Sequence, residues 1–407
     1  MISQRRAWAL AIAAMLIMMI SYVDRSTLAV LSVSVTAELH ISETEYGLLG
    51  SAFAFAYLVA TPLAGRWLDV FGARRGLAWS LAAWSAVAAL HAIAPGFGSL
   101  VVLRVALGLA EGPGFPGAAQ IVHRVVPPDA RARALGVVFM GSSIGSVVAP
   151  PLAAWLYGAF DPPSWRAAFL GTAAFGIAWL PLWLVLSRHR DARAVLDAPA
   201  EISTAPRPTF GELVRDRRVV RALVAIFAIA PVNGFVQTWG AKYLKATHDI
   251  DQRDVGGYLW LPPLALAIGA LSFGDLASRW RRAHGTSPRA LYAIATAHGA
   301  SLAHAPIADT PWQAIAIAAV ASFGGGALYT LATSELLAQV SASVVALAGG
   351  TLAGAQSLAH IIAYPLVGRA VDHWHGYGAV TVVLGAWVLP GSIAWISWPR
   401  AATSASR

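Results

Sequence analysis

Four charged residues lie inside long apolar stretches of the first half of the chain. Asp24 and Arg25 interrupt the segment MMISYVDRSTLAVLSV, and Arg104 and Glu111 interrupt LVVLRVALGLAEGPGFPG. A charged side chain near the centre of a lipid bilayer costs roughly 2.5–3.5 kcal/mol on insertion scales, so such residues usually line a pathway or bind a ligand. The default interpretation is a polar transport site.

The two arginines could bind an anion, and the two acids could carry protons. An arginine stays charged, and its planar guanidinium can hold a carboxylate through two hydrogen bonds, which suits Arg25 and Arg104 to an anion. Burial favours the protonated form of Asp24 or Glu111, whereas a neighbouring arginine favours the ionised form. An anion that occupied the arginine would remove this second effect. Binding of the proton and of the anion would then assist each other.

The spacing in the second of these segments supports a shared site. Arg104, Gly108 and Glu111 lie four and three residues apart, which places them on one face of a helix. The two charged residues are then separated by roughly 10 Å along the axis, and Gly108 leaves room for a ligand or for the first helix. The alternative interpretation is that Asp24 and Arg104 form a buried ion pair that only cross-links two helices.

The composition places these residues in a membrane protein. The chain has 407 residues, of which 57% are hydrophobic and 12% charged, about half the charge of a soluble protein. Apolar runs of about 20 residues recur along it, the length that spans a bilayer. The first run is too long for a signal peptide and lacks a cleavage site, so we expect a retained helix. The absence of cysteine excludes disulfides, thiolate metal sites and cysteine nucleophiles.

Apolar runs and helix-breaking residues predict an all-α membrane protein of twelve transmembrane helices in two pseudo-symmetric six-helix bundles. The predicted spans are 7–34, 45–67, 76–94, 98–125, 132–157, 165–187, 218–243, 254–276, 288–306, 311–337, 343–368 and 377–398. Residues 1–187 and 217–407 form the two bundles, and the Pro- and charge-rich stretch 188–216 forms a cytoplasmic linker. This is the organisation expected of a transporter built from repeats.

The distribution of basic residues predicts the orientation. Of the 29 Lys and Arg residues, 22 lie on the side shared by the two termini, whereas five lie in the opposite loops: Arg166, Lys242, Lys245, Arg253 and Arg369. Basic loops favour the cytoplasm, so we expect both termini and the linker there. The net charge of +9 is scattered over short loops, so it indicates contact with the lipid bilayer rather than with nucleic acid.

The loop after the second helix has a recognisable pattern. In GRWLDVFGARRG, Gly65 is followed by Asp69, Gly72 and the pair Arg74-Arg75. This pattern resembles the signature loop of the major facilitator superfamily, and the resemblance implies a gate. Gly65 would permit close helix approach, Gly72 a tight turn, and Asp69 a contact with a helix N-terminus or an arginine. A degenerate copy after the eighth helix, FGDLASRWRR, places Asp275 at the equivalent position.

Three further segments resemble the anion:cation symporter family, which includes bacterial sugar-acid transporters, sialin and the vesicular glutamate transporters. The segments are Tyr22–Leu28 in the first helix, Arg104–Gly117 in the fourth, and Asp129–Ala134 before the fifth. In that family the helix-1 Asp and helix-4 Glu are associated with proton coupling, and the arginines with the anionic substrate. The resemblance thus implies Asp24 and Glu111 as proton carriers and Arg25 and Arg104 as anion ligands, with Tyr22 in support.

The second half offers polar and aromatic candidates instead of charges. Side chains that could hydrogen-bond or stack on a substrate are Gln237, Trp239, Tyr329, Gln356 and His360. The family usually has Asn-rich positions in the eleventh helix, and AGAQSLAHIIAYP departs from that pattern. Glu335 is interpreted as part of a gate or as a solvated helix end.

The sequence favours a proton-coupled symporter of a small organic anion in a bacterial inner membrane, functioning as a monomer. No ATP-binding loop, metal-ligand spacing or catalytic nucleophile arrangement is present, so the proton gradient is the expected energy source and no cofactor is expected. Two alternatives remain: a proton-coupled exporter of drug-like or lipid-like molecules, and a membrane sensor that does not transport. The linker is too short to form an output domain, which disfavours the sensor.

Overall fold

The apolar segments form helices because the bilayer offers the backbone no hydrogen-bond partners, so each N–H and C=O must bond within its own segment. The computed structural model describes residues 2–197, 210–213, 215–284, 288–339 and 345–398. All regular secondary structure in these ranges is helical. The predicted all-α fold is confirmed.

Twelve helices match the twelve predicted spans. The first six are α1 (Gln4–Val30), α2 (Glu43–Leu68), α3 (Val70–Ile93), α4 (Phe97–Val125), α5 (Arg131–Gly158) and α6 (Trp165–Ser187). The second six are α7 (Arg217–His248), α8 (Gly256–His284), α9 (Arg289–Ala300), α10 (Pro311–Gln339), α11 (Val345–Trp374) and α12 (Gly378–Ser397). Within the described ranges, 10 of these helices are long and apolar enough to cross a membrane. The short α9 continues as a 3-10 helix over Ser301–Ile307.

The helices pack as two bundles that meet along three pairs of helices. In the first bundle α1 packs against α5 and α6, and α2 against α4; in the second, α8 packs against α10, and α7 against α12. The bundles meet where α2 lies along α11, α5 approaches α8, and α1 approaches α7. Helices α1, α2, α7 and α11 are therefore among those that border the central space between the bundles.

One end of the molecule is closed by contact between the bundles. We call it the closed end; it contains the start of α2 and the last turns of α7 and α11, and the opposite end, where α1 begins, is the terminal end. A Cβ atom added to Gly47 would lie 2.3 Å from the carbonyl oxygen of Tyr364, and one added to Gly368 would lie 2.1 Å from that of Glu43. Glycine thus lets the backbones of α2 and α11 touch.

Two predicted helices are interrupted. The span predicted as 7–34 ends at Val30, and a short helix over Ser32–Glu38 follows it. Within α4, the helices Phe97–Glu111 and Gly114–Val125 meet at a break. Pro113 has no N–H, so one helical hydrogen bond is lost directly after Glu111.

The last turns of α7 and α11 extend beyond the predicted ends. The prediction ended these helices at residues 243 and 368, but they continue to His248 and Trp374. Arg369, counted with the loops in the sequence analysis, therefore belongs to a helix, and Lys242, counted with the loops although it lies next to the predicted helix end, lies well inside α7. Lys242 is only 7% exposed. A lysine is rarely this buried unless it is paired.

Candidate functional site

An ion pair joins α1 to α4 in the first bundle. The Nε atom of Arg25 lies 2.5 Å from Oε2 of Glu111, and the hydroxyl of Ser21 donates to the same oxygen at 2.8 Å. The Glu111 side chain is fully buried, whereas about a fifth of the Arg25 side chain is exposed. The carboxylate is thus held by two donors from one helix, and the arginine is its accessible partner.

Aromatic rings surround the guanidinium of Arg25. Its central carbon lies 4.3 Å from the ring centre of Tyr57, 5.1 Å from that of Phe53 and 5.2 Å from that of Tyr22. Aromatic faces attract cations, and most strongly where water is excluded. Arg25 donates to Glu111 through Nε, so its two terminal nitrogens take no part in this hydrogen bond. The predicted supporting role of Tyr22 is consistent with this position.

Asp24 and Arg104 do not pair with each other. Both are buried, with 2% and 5% of their surface exposed. Among the described residues, neither oxygen of Asp24 has a hydrogen-bond partner, nor has Nε of Arg104 or Oε1 of Glu111. The indole nitrogen of Trp84 lies near Asp24 without forming a hydrogen bond of normal geometry. The alternative interpretation of an Asp24–Arg104 cross-link is wrong, since the ion pair between these helices is Arg25–Glu111.

Arg104 lies next to the second bundle. Its guanidinium is 6.0 Å from the ring centre of Phe53, and it lies near Tyr46 of α2 and Tyr364 of α11. Gly108 does not make room for a ligand or for α1, as the spacing suggested. A Cβ atom there would lie 2.6 Å from the carbonyl oxygen of Phe53, so Gly108 lets α4 pack against α2.

Three predicted residues of the second bundle lie towards the central space. Tyr329 of α10 lies near Tyr22 and Tyr57 of the first bundle. Gln356 and His360 of α11 are partly exposed, and Nε2 of His360 lies 3.1 Å from the carbonyl oxygen of Ala230. These neutral groups lie opposite the charged groups of the first bundle.

The two candidates on α7 differ in exposure. Trp239 is completely buried, and its ring packs edge-on against Tyr46 at 4.9 Å between ring centres. It therefore helps to join the bundles, and the predicted contact with a substrate is not available in this structure. Gln237 is exposed, so its predicted role in substrate binding stays a prediction.

Charged residues from both bundles meet at the closed end. The Nζ atom of Lys242 lies 2.9 Å from Oε1 of Glu43 and donates to the hydroxyl of Thr36 at 2.7 Å. The carboxylate of Asp372 accepts from the backbone N–H groups of Glu43 and Thr44 at 3.2 and 2.9 Å, and from the Thr44 hydroxyl at 2.6 Å. We call these five residues the closed-end cluster. They tie the start of α2 to the ends of α7 and α11.

The sequence did not indicate this cluster, because each of its charges lies near a predicted helix end, where a solvated side chain is expected. A signal was present, however. In NGFVQTWGAKYL the apolar and aromatic pattern continues through Lys242 to Leu244. A lysine flanked in this way is more consistent with a buried partner than with a loop.

Comparison with known proteins assigns the family. The family model for the Major Facilitator Superfamily matches residues 14–363, which is most of the chain. The chain belongs to this superfamily. Among its relatives, the hexuronate transporter of Escherichia coli strain K12 is 27% identical over 394 residues, covering 92% of this chain and 89% of that protein. The D-galactonate transporter of Escherichia coli O6:H1 is 26% identical over 415 residues, covering 96% and 95%.

Solved structures agree on the fold of this superfamily member. A bacterial homolog of the human lysosomal transporter Spinster, described as inward-facing and unoccupied, matches with a TM-score of 0.77 at 18% identity, covering 97% of this chain and 95% of that one. The superfamily match and the aligned relatives, together with the apolar helices, make the chain a multi-pass membrane transporter rather than an enzyme. The family resemblance inferred from the sequence is confirmed.

The superfamily's signature loop lies at the terminal end. Gly72 has φ of +75°, a left-handed conformation that glycine adopts without strain, so the predicted tight turn is present. Nε of Arg74 donates to both carboxylate oxygens of Asp197 at 2.9 and 3.2 Å. Arg75 is exposed, and Gly65 has open space where its side chain would be, so the predicted close helix approach is not made here. The side chain of Asp69 lies outside the described part.

The two gating candidates of the second bundle pair within that bundle. Asp275 lies 2.8 Å from Arg279 in an exposed pair one helical turn apart. Glu335 lies 2.7 Å from Arg221, whose guanidinium stacks on Trp395 at 3.9 Å from the ring centre. Glu335 is only 7% exposed, so the interpretation of a solvated helix end is wrong. Its role in a gate stays a prediction.

Proposed function

We propose that this protein is a proton-coupled symporter that carries a small organic acid, of the sugar-acid class, into the cell. The observation that carries the proposal is the pair between the accessible Arg25 and the buried Glu111, beside Arg104, whose Nε has no hydrogen-bond partner among the described residues. Two relatives that align over almost the whole chain are named as hexuronate and D-galactonate transporters, both for sugar acids.

The charges of the site match a monoanion. Arg25 and Glu111 neutralise each other, and Asp24, with no donor at either oxygen, is best accommodated as a neutral, protonated acid. Arg104 then leaves one positive charge that no carboxylate in the described part of the chain pairs with. A carboxylate would neutralise it and would replace the water that the buried guanidinium has lost.

Proton coupling follows from competition for Arg25. A bound carboxylate near Arg25 would weaken its bond to Glu111, and the buried Glu111 would then be an ion without its partner. Protonation removes that charge at little cost, because Oε1 has no donor to lose. The proton and the organic anion thus enter together and leave together. Movement of excess positive charge inward would gain roughly 2.3 kcal/mol per charge per 100 mV of membrane potential.

Alternating access requires that the closed end opens. The closed-end cluster and the hydrogen bond from Tyr46 to the Thr238 carbonyl, 2.6 Å long, join the two bundles there. At the terminal end, the ion pairs Arg74–Asp197 and Arg221–Glu335 each lie within one half of the chain. This contrast supports a state open towards the terminal end. With the termini in the cytoplasm, as the basic residues favour, this is the inward-facing state.

Transport by the purified protein in lipid vesicles tests the proposal. An inward proton gradient should drive accumulation of labelled D-galactonate or a labelled hexuronate by the parent protein. In Glu111→Gln, accumulation should fail while exchange of internal for external substrate persists, because exchange needs no net proton movement. Accumulation driven by an outward gradient would indicate an exporter. Binding without any flux would indicate a sensor.

A further inference from the structure

His360 of α11 is partly exposed and uses one ring nitrogen, Nε2, in a contact with α7. We propose that His360 is a specificity-determining residue that accepts a hydrogen bond from a hydroxyl group of the transported acid. The inference rests on the proposed function and deepens it, because it names the side chain that would distinguish a sugar acid from a carboxylate without hydroxyl groups.

The contact of His360 with α7 determines which ring nitrogen can accept. Nε2 lies 3.1 Å from the carbonyl oxygen of Ala230. A carbonyl can only accept, so Nε2 carries the hydrogen, and in a neutral imidazole Nδ1 is then an acceptor. In the described part of the chain no group forms a hydrogen bond with Nδ1. Nδ1 is also accessible, whereas the amide oxygen of Asn233, another acceptor without a partner, is fully buried. An accessible acceptor without a partner is what a ligand hydroxyl requires.

A glycine on α7 holds the ring in place. A Cβ atom added to Gly234 would lie 3.0 Å from Nε2 of His360 and 2.8 Å from the ring of Tyr364. The two rings stack with their centres 4.9 Å apart and their planes at 11°. Only a residue without a side chain lets both rings approach α7 this closely. The acceptor is therefore held by the surrounding helices before a ligand arrives, which lowers the entropy cost of binding.

Tyr364 connects His360 to the anion site. One face of its ring stacks on His360, and the tyrosine also lies near Arg104. A ligand whose carboxylate binds Arg104 would thus extend along Tyr364 towards Nδ1 of His360. A chain that carries hydroxyl groups beyond its carboxylate fits this path, whereas an acid with an alkyl chain would leave Nδ1 without a donor.

Binding to the purified transporter tests the inference with two acids of equal charge and chain length, D-galactonate and hexanoate. His360→Phe keeps the stack on Tyr364 but removes the acceptor. We expect the Kd for D-galactonate to rise about tenfold, the effect of one lost hydrogen bond of ordinary strength, while the Kd for hexanoate stays unchanged. His360→Asn, whose amide oxygen can occupy the position of Nδ1, should restore part of the difference.

A glycine pair provides the matched control. Gly234→Ala should displace His360 and reproduce the selective loss, whereas Gly136→Ala, where a Cβ atom meets nothing within 4 Å, should not. Equal losses for the two acids in His360→Phe, or no loss at all, would overturn the inference while leaving the proposed transport of acids intact. A parent protein that binds neither acid would overturn both.

Discussion

Asp24 and Arg25 are neighbours in the chain, yet only Arg25 contacts Glu111. Adjacent residues of a helix point about 100° apart, so Arg25 reaches Oε2 of Glu111 at 2.5 Å while Asp24 lies by Trp84 with both oxygens unpartnered. One residue step on α1 thus separates a paired, partly accessible charge from a sealed acid. The two acids of the site consequently have different surroundings, and they should differ in function.

Substitution of Arg104 should weaken substrate binding more than substitution of an exposed arginine does. Its guanidinium is buried and has an unpartnered nitrogen, and a hydrogen bond to a charged group contributes about 1.5–3 kcal/mol. Arg104→Ala should therefore raise the Kd for D-galactonate by about 10- to 150-fold, measured by titration of the purified protein. Arg253→Ala, at an exposed arginine, is the control. Equal affinities in parent and Arg104→Ala would show that the anion binds elsewhere.

Removal of the Lys242 charge should open the closed end more often. The chain has no cysteine, so Ser51→Cys introduces a single reporter at a buried position whose hydroxyl donates to the Ile361 carbonyl of the other bundle. When Lys242→Gln is added to this variant, Glu43 loses its partner and the two bundles separate more often at the closed end. Maleimide should then label the cysteine several-fold faster.

The control for this experiment is a lysine of the same helix. Lys245 pairs with Asp249 in an exposed contact within the last turn of α7, and exposed pairs contribute about 0–1 kcal/mol. Lys245→Gln should leave the labelling rate of the Ser51→Cys reporter unchanged. Equal rates in both lysine variants would mean that the closed-end cluster does not hold the bundles together.

A methyl group at Gly368 should weaken the contact between α2 and α11 at the closed end by a steric clash. A Cβ atom at this position would lie 2.1 Å from the Glu43 carbonyl oxygen, so α2 and α11 must separate to accommodate alanine. Gly368→Ala should reduce uptake and increase labelling of the Ser51→Cys reporter. Gly376→Ala, where nothing lies within 4 Å, should behave as the parent does. Unchanged uptake in Gly368→Ala would show that tight closure of this end is not required.

The helices and the family could be predicted from the sequence, because apolar length and the loop pattern around Gly72 are local features. The partners of the four membrane charges could not, since they depend on the rotation of α1 relative to α4. The closed-end cluster was missed for a related reason: Lys242 and Glu43 are almost 200 residues apart, and nothing local shows that they meet. The packing role of Gly108 likewise required the position of α2.

The central claim is that the organic anion and a proton bind together through Glu111, and proton uptake on binding tests it most directly. D-galactonate is added to the purified protein in weakly buffered solution that contains a pH indicator. The proposed coupling predicts that the parent takes up protons as it binds the acid, whereas Glu111→Gln binds it with little or no uptake. Equal proton uptake by the parent and by Glu111→Gln would contradict the claim.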